Sequence, residues 1–473
     1  MDATQAGNQQ SNSQGQRFKK RVAYAAIGLC APAVCLLASN ALAMDWNARF
    51  GLGSAYTSNS LQTANDEQKD YAAQSQLGFD LVQKSTSFDL GANYDVGWTT
   101  WQDDTQSDEL AVNGQAAAHW FIIPSLLTWD FNQQNSRQKM QSARVDTSDT
   151  RANQSVFSTG PSSILRLSSR DHLKLSADAM RVSTSGKETN DYDSDRQLYS
   201  AALVHSTSAI QTLGVQVSQQ RAEYDVAGVP DTVFSQAALE WNRQYRLGRL
   251  QASLGKNRSK RESGAVHNGN YYQFFVDYNG VGHVVSLAGM RTQTDSMLGL
   301  YSPGFATPLQ PGSGANDSFS PNGTVSETID VVDEQQIDFN YSTVRVCERC
   351  NFSVRASYSD QDYLVELLDK RTASLQTGLE YLFSERWKTQ VTLSGGRERY
   401  PDINDRTDDY RNLNIALSYQ TTPELLLTAQ TGYTERDSDD PLFDYNEATA
   451  LFGFVYQFGN TKKAPVSGAA EPR

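Results

Sequence analysis

Polar and apolar residues alternate along most of this chain, in segments of roughly ten residues. In the clearest segment one face is apolar and the opposite face carries polar residues and glycine: Phe88, Leu90, Ala92, Tyr94, Val96 and Trp98 against Asp89, Gly91, Asn93, Asp95 and Gly97. Since successive side chains of a strand point to opposite faces, each such segment predicts a strand with one apolar and one polar face.

The number of these strands excludes most β folds. About twenty of them, with no helical segment and no second apolar layer, cannot pair into one compact soluble sandwich. A propeller or a β-helix holds as many strands, but the chain has no repeat of blade or coil length. The sequence therefore predicts an all-β fold: a transmembrane, antiparallel, up-and-down β-barrel of about 20 strands, within a range of about 18–22.

Short and long connections alternate between the predicted strands. The short ones are Gln83–Thr86, Ser169–His172, Ser206–Ala209, Cys347–Cys350, Ser384–Arg386 and Thr421–Glu424. The longer polar ones are Ser58–Lys69, Trp101–Glu109, Arg137–Asp149, Thr184–Asp193, Pro401–Asp409 and Asp437–Asp444. Barrels of the outer membrane have this asymmetry, with tight periplasmic turns and long external loops. The longest loop, about Asp295–Asp333, is expected outside the barrel or folded into the lumen as a constriction.

The last predicted strand has an aromatic face that ends in phenylalanine. Phe452, Phe454, Tyr456 and Phe458 share this face with Ala450. The pattern resembles the C-terminal signal by which barrel-assembly machinery recognises outer-membrane barrels. An edge strand of a soluble core is the alternative. We interpret the four aromatic residues as a candidate barrel-assembly signal.

The N-terminus has the pattern of an export signal. A basic cluster around Lys19 precedes an apolar run from Val22 to Ser39, and Ala41-Leu42-Ala43 fits a cleavage site. We predict a signal peptide over residues 1–43, a barrel in the cell outer membrane over 44–458 and a flexible periplasmic tail over 459–473. A retained membrane anchor is the alternative for the first segment, and partner docking is the alternative for the tail.

Composition supports a barrel and excludes other partners. Only 38% of residues are hydrophobic, which excludes a helical membrane protein but suits a barrel whose strands meet lipid at every second residue. The formal net charge of −13 argues against nucleic-acid binding. The expected partners are outer-membrane lipids, lipopolysaccharide and the barrel-assembly machinery.

Cys347 and Cys350 lie in a predicted short connection between two strands. In an oxidising compartment this spacing favours a disulfide that closes the turn. A redox pair is the alternative, whereas a zinc site would need a second half-site that the chain lacks.

The sequence carries no recognisable catalytic, cofactor-binding or metal-binding motif. The five histidines have no zinc spacing and no evident nucleophile beside them: His119, His172, His205, His267 and His283. We therefore predict that the protein is not an enzyme. An enzyme remains the alternative, because barrel enzymes place catalytic residues far apart in sequence. The acidic clusters Asp103-Asp104, Asp405–Asp409 and Asp437–Asp440 lack EF-hand spacing, so we interpret them as solvated loops, with divalent-cation binding as the alternative.

Several charged residues are predicted to point into the lumen: Asp80, Asp89, Asp95, Arg355, Glu380 and Lys388. Mixed charges and amides are the ordinary lining of a water-filled barrel. They also suit hydroxyl-rich sugar chains, and composition does not separate these two interpretations.

Taken whole, the mature chain resembles the outer-membrane β-barrel proteins associated with PEP-CTERM and exopolysaccharide gene clusters. The resemblance rests on Met44-Asp45-Trp46 after the signal, on Tyr56–Asn59 after the first strand, on the many hairpins and on the aromatic last strand. It implies a porin-like conduit for exopolysaccharide export or envelope assembly, with polysaccharide-export components as partners and no cofactor. A general diffusion porin and a plugged scaffold barrel are the alternatives.

Overall fold

The structure is a computed structural model and describes residues 44–139, 145–186, 192–226, 228–297 and 329–459. Its strands, in chain order, are β1 Met44–Thr57, β2 Asp70–Lys84, β3 Phe88–Trp101, β4 Glu109–Ile123, β5 Leu127–Lys139, β6 Arg151–Arg166, β7 Asp171–Gly186, β8 Tyr192–Ser208, β9 Gln211–Tyr224, β10 Thr232–Tyr245, β11 Gly248–Arg261, β12 Val266–Gly280, β13 His283–Asp295, β14 Val331–Thr343, β15 Cys350–Tyr363, β16 Lys370–Leu382, β17 Trp387–Tyr400, β18 Arg406–Gln420, β19 Leu425–Ser438 and β20 Tyr445–Gly459.

The described part of the chain also contains two short 3-10 turns, Ser148–Thr150 and Pro441–Phe443. None of its helices has the length and apolarity that crossing a membrane would require. The predicted signal peptide and nearly all of the predicted tail lie outside the described residues.

The twenty strands form one closed antiparallel sheet. Each strand pairs with the next one in the chain, and β20 pairs with β1 from Gly459 opposite Asn47 to Thr449 opposite Thr57. The predicted fold class, a barrel of about 20 antiparallel strands, is therefore confirmed. Closure leaves no free sheet edge at this seam, because the first and last strands satisfy each other's backbone groups.

The two ends of the barrel differ in their connections. Both termini of the barrel and the shortest connections lie at one end, here called the turn end; an example is the link between Lys84 of β2 and Phe88 of β3. The longer connections lie at the opposite end, here called the loop end, and the stretch from Asp295 to Val331 is the longest of them. The alternation predicted from the sequence is thus present in the strand order.

The exterior of the barrel is apolar. Leu254, Leu239 and Phe452 are 66%, 64% and 65% exposed, and comparable aliphatic and aromatic side chains are exposed on one face around the ring. Such a surface is stable only where lipid rather than water surrounds it. The barrel therefore spans a membrane.

The aromatic residues of the last strand face outward at the seam. Phe458 meets Trp46 of β1 edge to face, with ring centroids 6.1 Å apart, and Phe454 meets Phe50 at 6.3 Å. Phe452 and Tyr456 lie on the same outer face, at least 44% exposed. The strand predicted as the assembly signal is the strand that closes the barrel; its recognition by assembly machinery stays a prediction.

Candidate functional site

The inner wall of the barrel is lined with amides, hydroxyls and charges. Strand register places these side chains opposite one another in rows, because paired residues of antiparallel strands share a face. One row runs Asn93, Gln115, Gln134 across β3–β5; another runs Asn340, Arg355, Gln376, Ser394, Asn412 across β14–β18. The polar face predicted from the sequence is the lumen face.

The charged residues predicted to point inward lie on this face. Arg49 of β1 reaches across β2, and its Nη1 lies 2.9 Å from Asp80 Oδ2 while its Nη2 lies 3.1 Å from Asp95 Oδ1. Near the turn end, Lys388 Nζ lies 3.2 Å from Glu380 Oε2, and the two side chains are 35% and 25% exposed. Asp89 and Arg355 also fall on the lumen side by register.

At the loop end, the sheet opens between β12 and β13, while β14 stays paired with β15 as far as Val332 opposite Tyr363. Pairing of β12 with β13 stops at Tyr272 opposite Arg291, whereas β13 and β14 stay paired as far as Asp295 opposite Val331. Strand β12 continues in the wall beside β11 up to Val266. The ends of β13 and β14 therefore separate together from β12. We call residues 292–297 and 329–334 the inward hairpin.

A buried ion pair fastens the inward hairpin to the inner wall. Asp295 pairs with Arg196 of β8, whose Nη1 and Nη2 both contact the carboxylate, the second at 3.0 Å from Oδ1. The two side chains are 1% and 0% exposed. The backbone N–H of Met297 also donates to Asp295 Oδ1 at 3.0 Å. Since β8 and β13 are five strands apart in the ring, this contact crosses part of the lumen.

A second carboxylate fastens the returning arm of the hairpin. Asp330 is 1% exposed and its Oδ1 accepts a hydrogen bond from Arg261 Nη2 of β11. Its other oxygen accepts the backbone N–H groups of Val365 and Glu366 at 2.8 and 2.9 Å. Asp330 thus joins β11 to the connection between β15 and β16.

Apolar packing completes the attachment. Met297 is 1% exposed and packs with Val156, Met180 and Val182, which lie on the lumen face of β6 and β7. Gln154 of β6 donates a hydrogen bond to the backbone carbonyl of Met297. An apolar cluster on an otherwise polar wall is stable here because the hairpin covers it.

A second group of buried charges lines the opposite arc of the loop end, on β16–β19. Lys370 Nζ lies 2.9 Å from Glu398 Oε1, and the hydroxyl groups of Tyr400 and Tyr410 donate to Glu398 at 2.6 and 3.1 Å. Every oxygen of this carboxylate is therefore engaged.

Two arginines share a carboxylate beside this group. Asp408 is 0% exposed and lies 2.6 Å from Arg436 Nη2 and 3.2 Å from Arg406 Nη2. The ring of Phe443 covers both guanidinium groups, at 4.1 Å from Arg406 and 5.3 Å from Arg436. Aromatic cover over a desolvated cation adds a cation–π contact to the ion pairs.

Three loops are joined at the loop end on the side of β1–β6. Asp146 binds the Arg151 guanidinium through two hydrogen bonds, at 2.7 and 3.1 Å, and its backbone N–H donates to Gln62 Oε1. The backbone N–H of Ser148 donates to Gln106 Oε1 at 2.9 Å. Burial alone would raise the pKa of Asp146, but the Arg151 guanidinium outweighs it and holds that pKa below its usual 3.8.

The two cysteines predicted to form a turn disulfide are joined in the structure. Cys347 and Cys350 lie between β14 and β15 at the turn end, far along both strands from the inward hairpin. Neither contributes to the lumen contacts described above.

The acidic cluster Asp405–Asp409 forms ion pairs at the rim. Asp405 pairs with Arg399 at 2.7 Å and Asp409 with Arg397 at 2.8 Å. Over the described ranges, no three histidine, cysteine or acidic side chains are grouped as metal ligands.

Two histidines pair with aspartates. His119 Nδ1 lies 2.7 Å from Asp130 Oδ1, and the Ser162 hydroxyl donates to the other oxygen of Asp130 at 2.6 Å. His205 and Asp171 form a similar pair at 2.7 Å near the turn end. In a nucleophile–base pair the serine would donate to the histidine. Here the serine donates to the aspartate, so the arrangement orients side chains without activating a nucleophile.

The residues that hold the inward hairpin were not among those predicted from sequence: Arg196, Arg261, Asp295 and Asp330. One signal was available. Val156, Met180 and Val182 occupy lumen positions on β6 and β7, where strict alternation calls for polar residues. Apolar residues on a polar face indicate that another part of the chain covers them.

No family model matches this chain, and no curated protein matches it. Solved structures similar to it include the FrpB iron transporter of Neisseria meningitidis (F5-1 variant), at a TM-score of 0.46 and 10% identity over 88% of this chain and 82% of that one. The siderophore receptor PirA of Pseudomonas aeruginosa gives 0.39 and 12% over 87% and 80%. The outer membrane protein OpdK of the same species gives 0.38 and 12% over 88% and 99%. These are likenesses of fold.

The closed antiparallel ring, its apolar exterior and its polar interior together are the architecture of an outer-membrane barrel. The chain is a protein of that membrane. The inner wall with its inward hairpin is its candidate functional site.

Proposed function

We propose that this barrel is a conduit across the outer membrane, narrowed at its loop end by the inward hairpin. The proposal rests on one observation: Asp295 and Asp330, both 1% exposed, attach the inward hairpin to the inner wall. A constriction made from the barrel's own chain divides a wide polar lumen into a narrow outer part and a broader part toward the turn end.

The proposed cargo is a carbohydrate polymer, so that the protein serves exopolysaccharide export or envelope assembly. Two observations support this. The wall rows of amides and hydroxyls exchange hydrogen bonds with sugar hydroxyls without holding any one tightly, and the mature chain resembles barrels of exopolysaccharide gene clusters. The chemistry fits a moving polar chain better than a site that grips one small ligand.

Single-channel conductance of the purified barrel in planar bilayers tests the conduit. The wild type should give small, uniform conductance steps. An Asp295→Ala/Asp330→Ala variant loses both attachments and should give larger steps, because the hairpin no longer occupies the lumen. A Glu380→Gln variant is the matched control: it alters an inner-wall ion pair near the turn end and should leave the step size unchanged.

A deletion strain tests the cargo. Surface-bound and released polysaccharide should both fall, and the wild-type gene should restore them, while uptake of small solutes stays unchanged. Unchanged polysaccharide together with reduced solute uptake would make a general diffusion porin the better assignment.

A plugged scaffold barrel is the second candidate. It is favoured by the buried ion pairs on β16–β19, where Lys370 pairs with Glu398 and both Arg406 and Arg436 pair with Asp408. Absence of conductance in both the wild type and the double variant would support the scaffold and reject the conduit.

A further inference from the structure

Three basic side chains lie on the outward face of β11. Lys256, Arg258 and Lys260 alternate along the outer face of this strand and are all exposed. Alternate residues of a strand are about 7 Å apart, so the three charges span roughly 14 Å along the barrel wall. We call these three residues the basic column.

Among the described residues, the basic column has no acidic partner. In the part of the chain that the structure describes, no carboxylate lies within ion-pair distance of any of the three side chains, and Lys256 donates only to the amide oxygen of Asn270. Other cations of the rim are paired: Arg397 with Asp409 and Arg399 with Asp405. In a protein of net charge −13, an unpaired run of positive charge is a local exception.

The basic column begins where the apolar exterior ends. Leu250, Ala252 and Leu254 precede it on the same face of β11, and Leu254 is 66% exposed to the lipid side. Lys256 is the next outward-facing residue toward the loop end. The switch from leucine to lysine therefore marks the level at which the hydrocarbon core gives way to lipid headgroups.

A notch in the wall lies beside the basic column. Because β13 separates from β12 beyond Tyr272, the sheet is open between these two strands, and a cavity of about 710 Å³ lies there. Lys256 and Arg258 of the basic column line the cavity. Polar side chains of this and neighbouring strands line it as well: Ser235, Asn268, Asn270 and Arg291. Arg291 is already paired with Asp333 at 3.0 Å, so Lys256 and Arg258 supply the unpaired charge.

We infer that this notch binds the phosphorylated headgroup of an anionic glycolipid in the outer leaflet. The cations of the basic column contact the phosphoryl groups, and Asn268, Asn270 and Ser235 hydrogen-bond the sugar hydroxyls. The acyl chains lie along Leu254 and the apolar exterior below it. This inference rests on the proposed place of the loop end in the outer leaflet.

Lipid binding by a set of charge-neutralised variants tests it. Wild-type protein is reconstituted in nanodiscs of zwitterionic phospholipid containing lipopolysaccharide, or the same lipopolysaccharide after removal of its phosphoryl groups. Lys256→Gln/Arg258→Gln/Lys260→Gln should bind the phosphorylated glycolipid on the order of 100-fold more weakly, because each basic residue near an anionic surface contributes about fivefold. Dephosphorylated lipopolysaccharide should bind wild type and variant equally weakly.

Arg397→Gln/Arg399→Gln/Arg411→Gln is the matched control. It removes the same charge from outward-facing positions near the loop end that have acidic partners, and it should bind the glycolipid like the wild type. Equal loss in both triple variants would overturn the site, since net charge alone would then explain binding. Retention of wild-type affinity by the basic-column variant would also overturn it.

Competition with inorganic phosphate distinguishes a lipid headgroup from a free phosphate ion as the bound ligand. Competition by millimolar phosphate at constant ionic strength, with no preference for the glycolipid, would reject the lipid assignment in favour of a free anion. Heat-modifiable gel migration shows that each variant is folded, and the single change Arg258→Gln, expected to weaken binding about fivefold, covers the case in which the triple variant is not. Conductance and cell fractionation report separately on the conduit and on membrane placement.

Discussion

The turn end and the loop end of the lumen both contain ion pairs, but the pairs differ in how exposed they are. Near the turn end, Lys388 and Glu380 form a pair that is 35% and 25% exposed. At the loop end, Arg196 and Asp295 form a pair that is 0% and 1% exposed. Water surrounds the first pair, and the protein's own chain surrounds the second. The difference indicates which end of the lumen is filled.

Burial changes what such a pair does. An exposed ion pair contributes about 0–1 kcal/mol, because water screens it and both side chains lose freedom. A buried pair contributes little net stability, but removing one partner leaves an unpaired charge away from water and costs about 3–5 kcal/mol. The buried pair of the loop end therefore depends on both of its partners, whereas the exposed pair near the turn end tolerates the loss of one.

The largest expected effect is at Arg196. Arg196→Ala should weaken the attachment of the inward hairpin by about 3–5 kcal/mol, because Asp295 is left buried without its cation. Hydrogen exchange of the amides of residues 292–297 measures this attachment directly. Lys388→Ala is the matched control and should change exchange of its own neighbours by about 0–1 kcal/mol. Similar small changes in both variants would remove the distinction between the two ends.

A smaller effect is expected at the turn end, from the disulfide. Cys347→Ser/Cys350→Ser should lower stability by about 2 kcal/mol at most, since the cross-link closes a very short loop. Single-channel conductance should not change, because the bond lies at the opposite end from the inward hairpin. A changed conductance after reduction of the wild type would show that the turn end takes part in the constriction.

The smallest effect is expected at Asp146, and it is a loss of local stability at acid pH. Because the folded-state pKa of Asp146 lies below 3.8, its stabilising contribution is present above pH 3.8 and is lost as the pH falls through the lowered value. Protection of the amides of residues 145–150, measured as an exchange rate relative to the intrinsic rate at each pH, should fall in that acid range. Asp146→Ala should have low protection at every pH; a pH profile identical to wild type would exclude the Arg151 contact as the cause.

The wall of the barrel was predictable because one rule governs it. Alternation along a strand decides which side chains meet lipid and which line the lumen, and the short and long connections decide which end is which. Asp80 and Glu380 were placed on the lumen face from this rule alone. So was the outward face of the last strand, including Phe458.

The inward hairpin was not predictable from the same rule. Beyond Arg291 the residues 292–296 are all polar, but the loop end of β11 is all polar too, so no residue type signals that β13 stops pairing with β12 there. The partners that hold the hairpin, such as Arg196 and Asp295, are 99 positions apart in the chain. Alternation concerns residues that are next to each other in the sequence, whereas the contact between Arg196 and Asp295 depends on the curvature of the sheet.

The strands that hold the inward hairpin have a consequence for the order of assembly. The hydrogen bonds described above that attach it come from Gln154 on β6, Arg196 on β8 and Arg261 on β11, and from the connection between β15 and β16. All of these elements lie between the first and the last strand of the sheet. A curved, still open sheet that contains these strands already carries the complete docking surface. The inward hairpin can therefore bind to the sheet before β20 pairs with β1. When these two strands then pair, the lumen that they close is already narrowed.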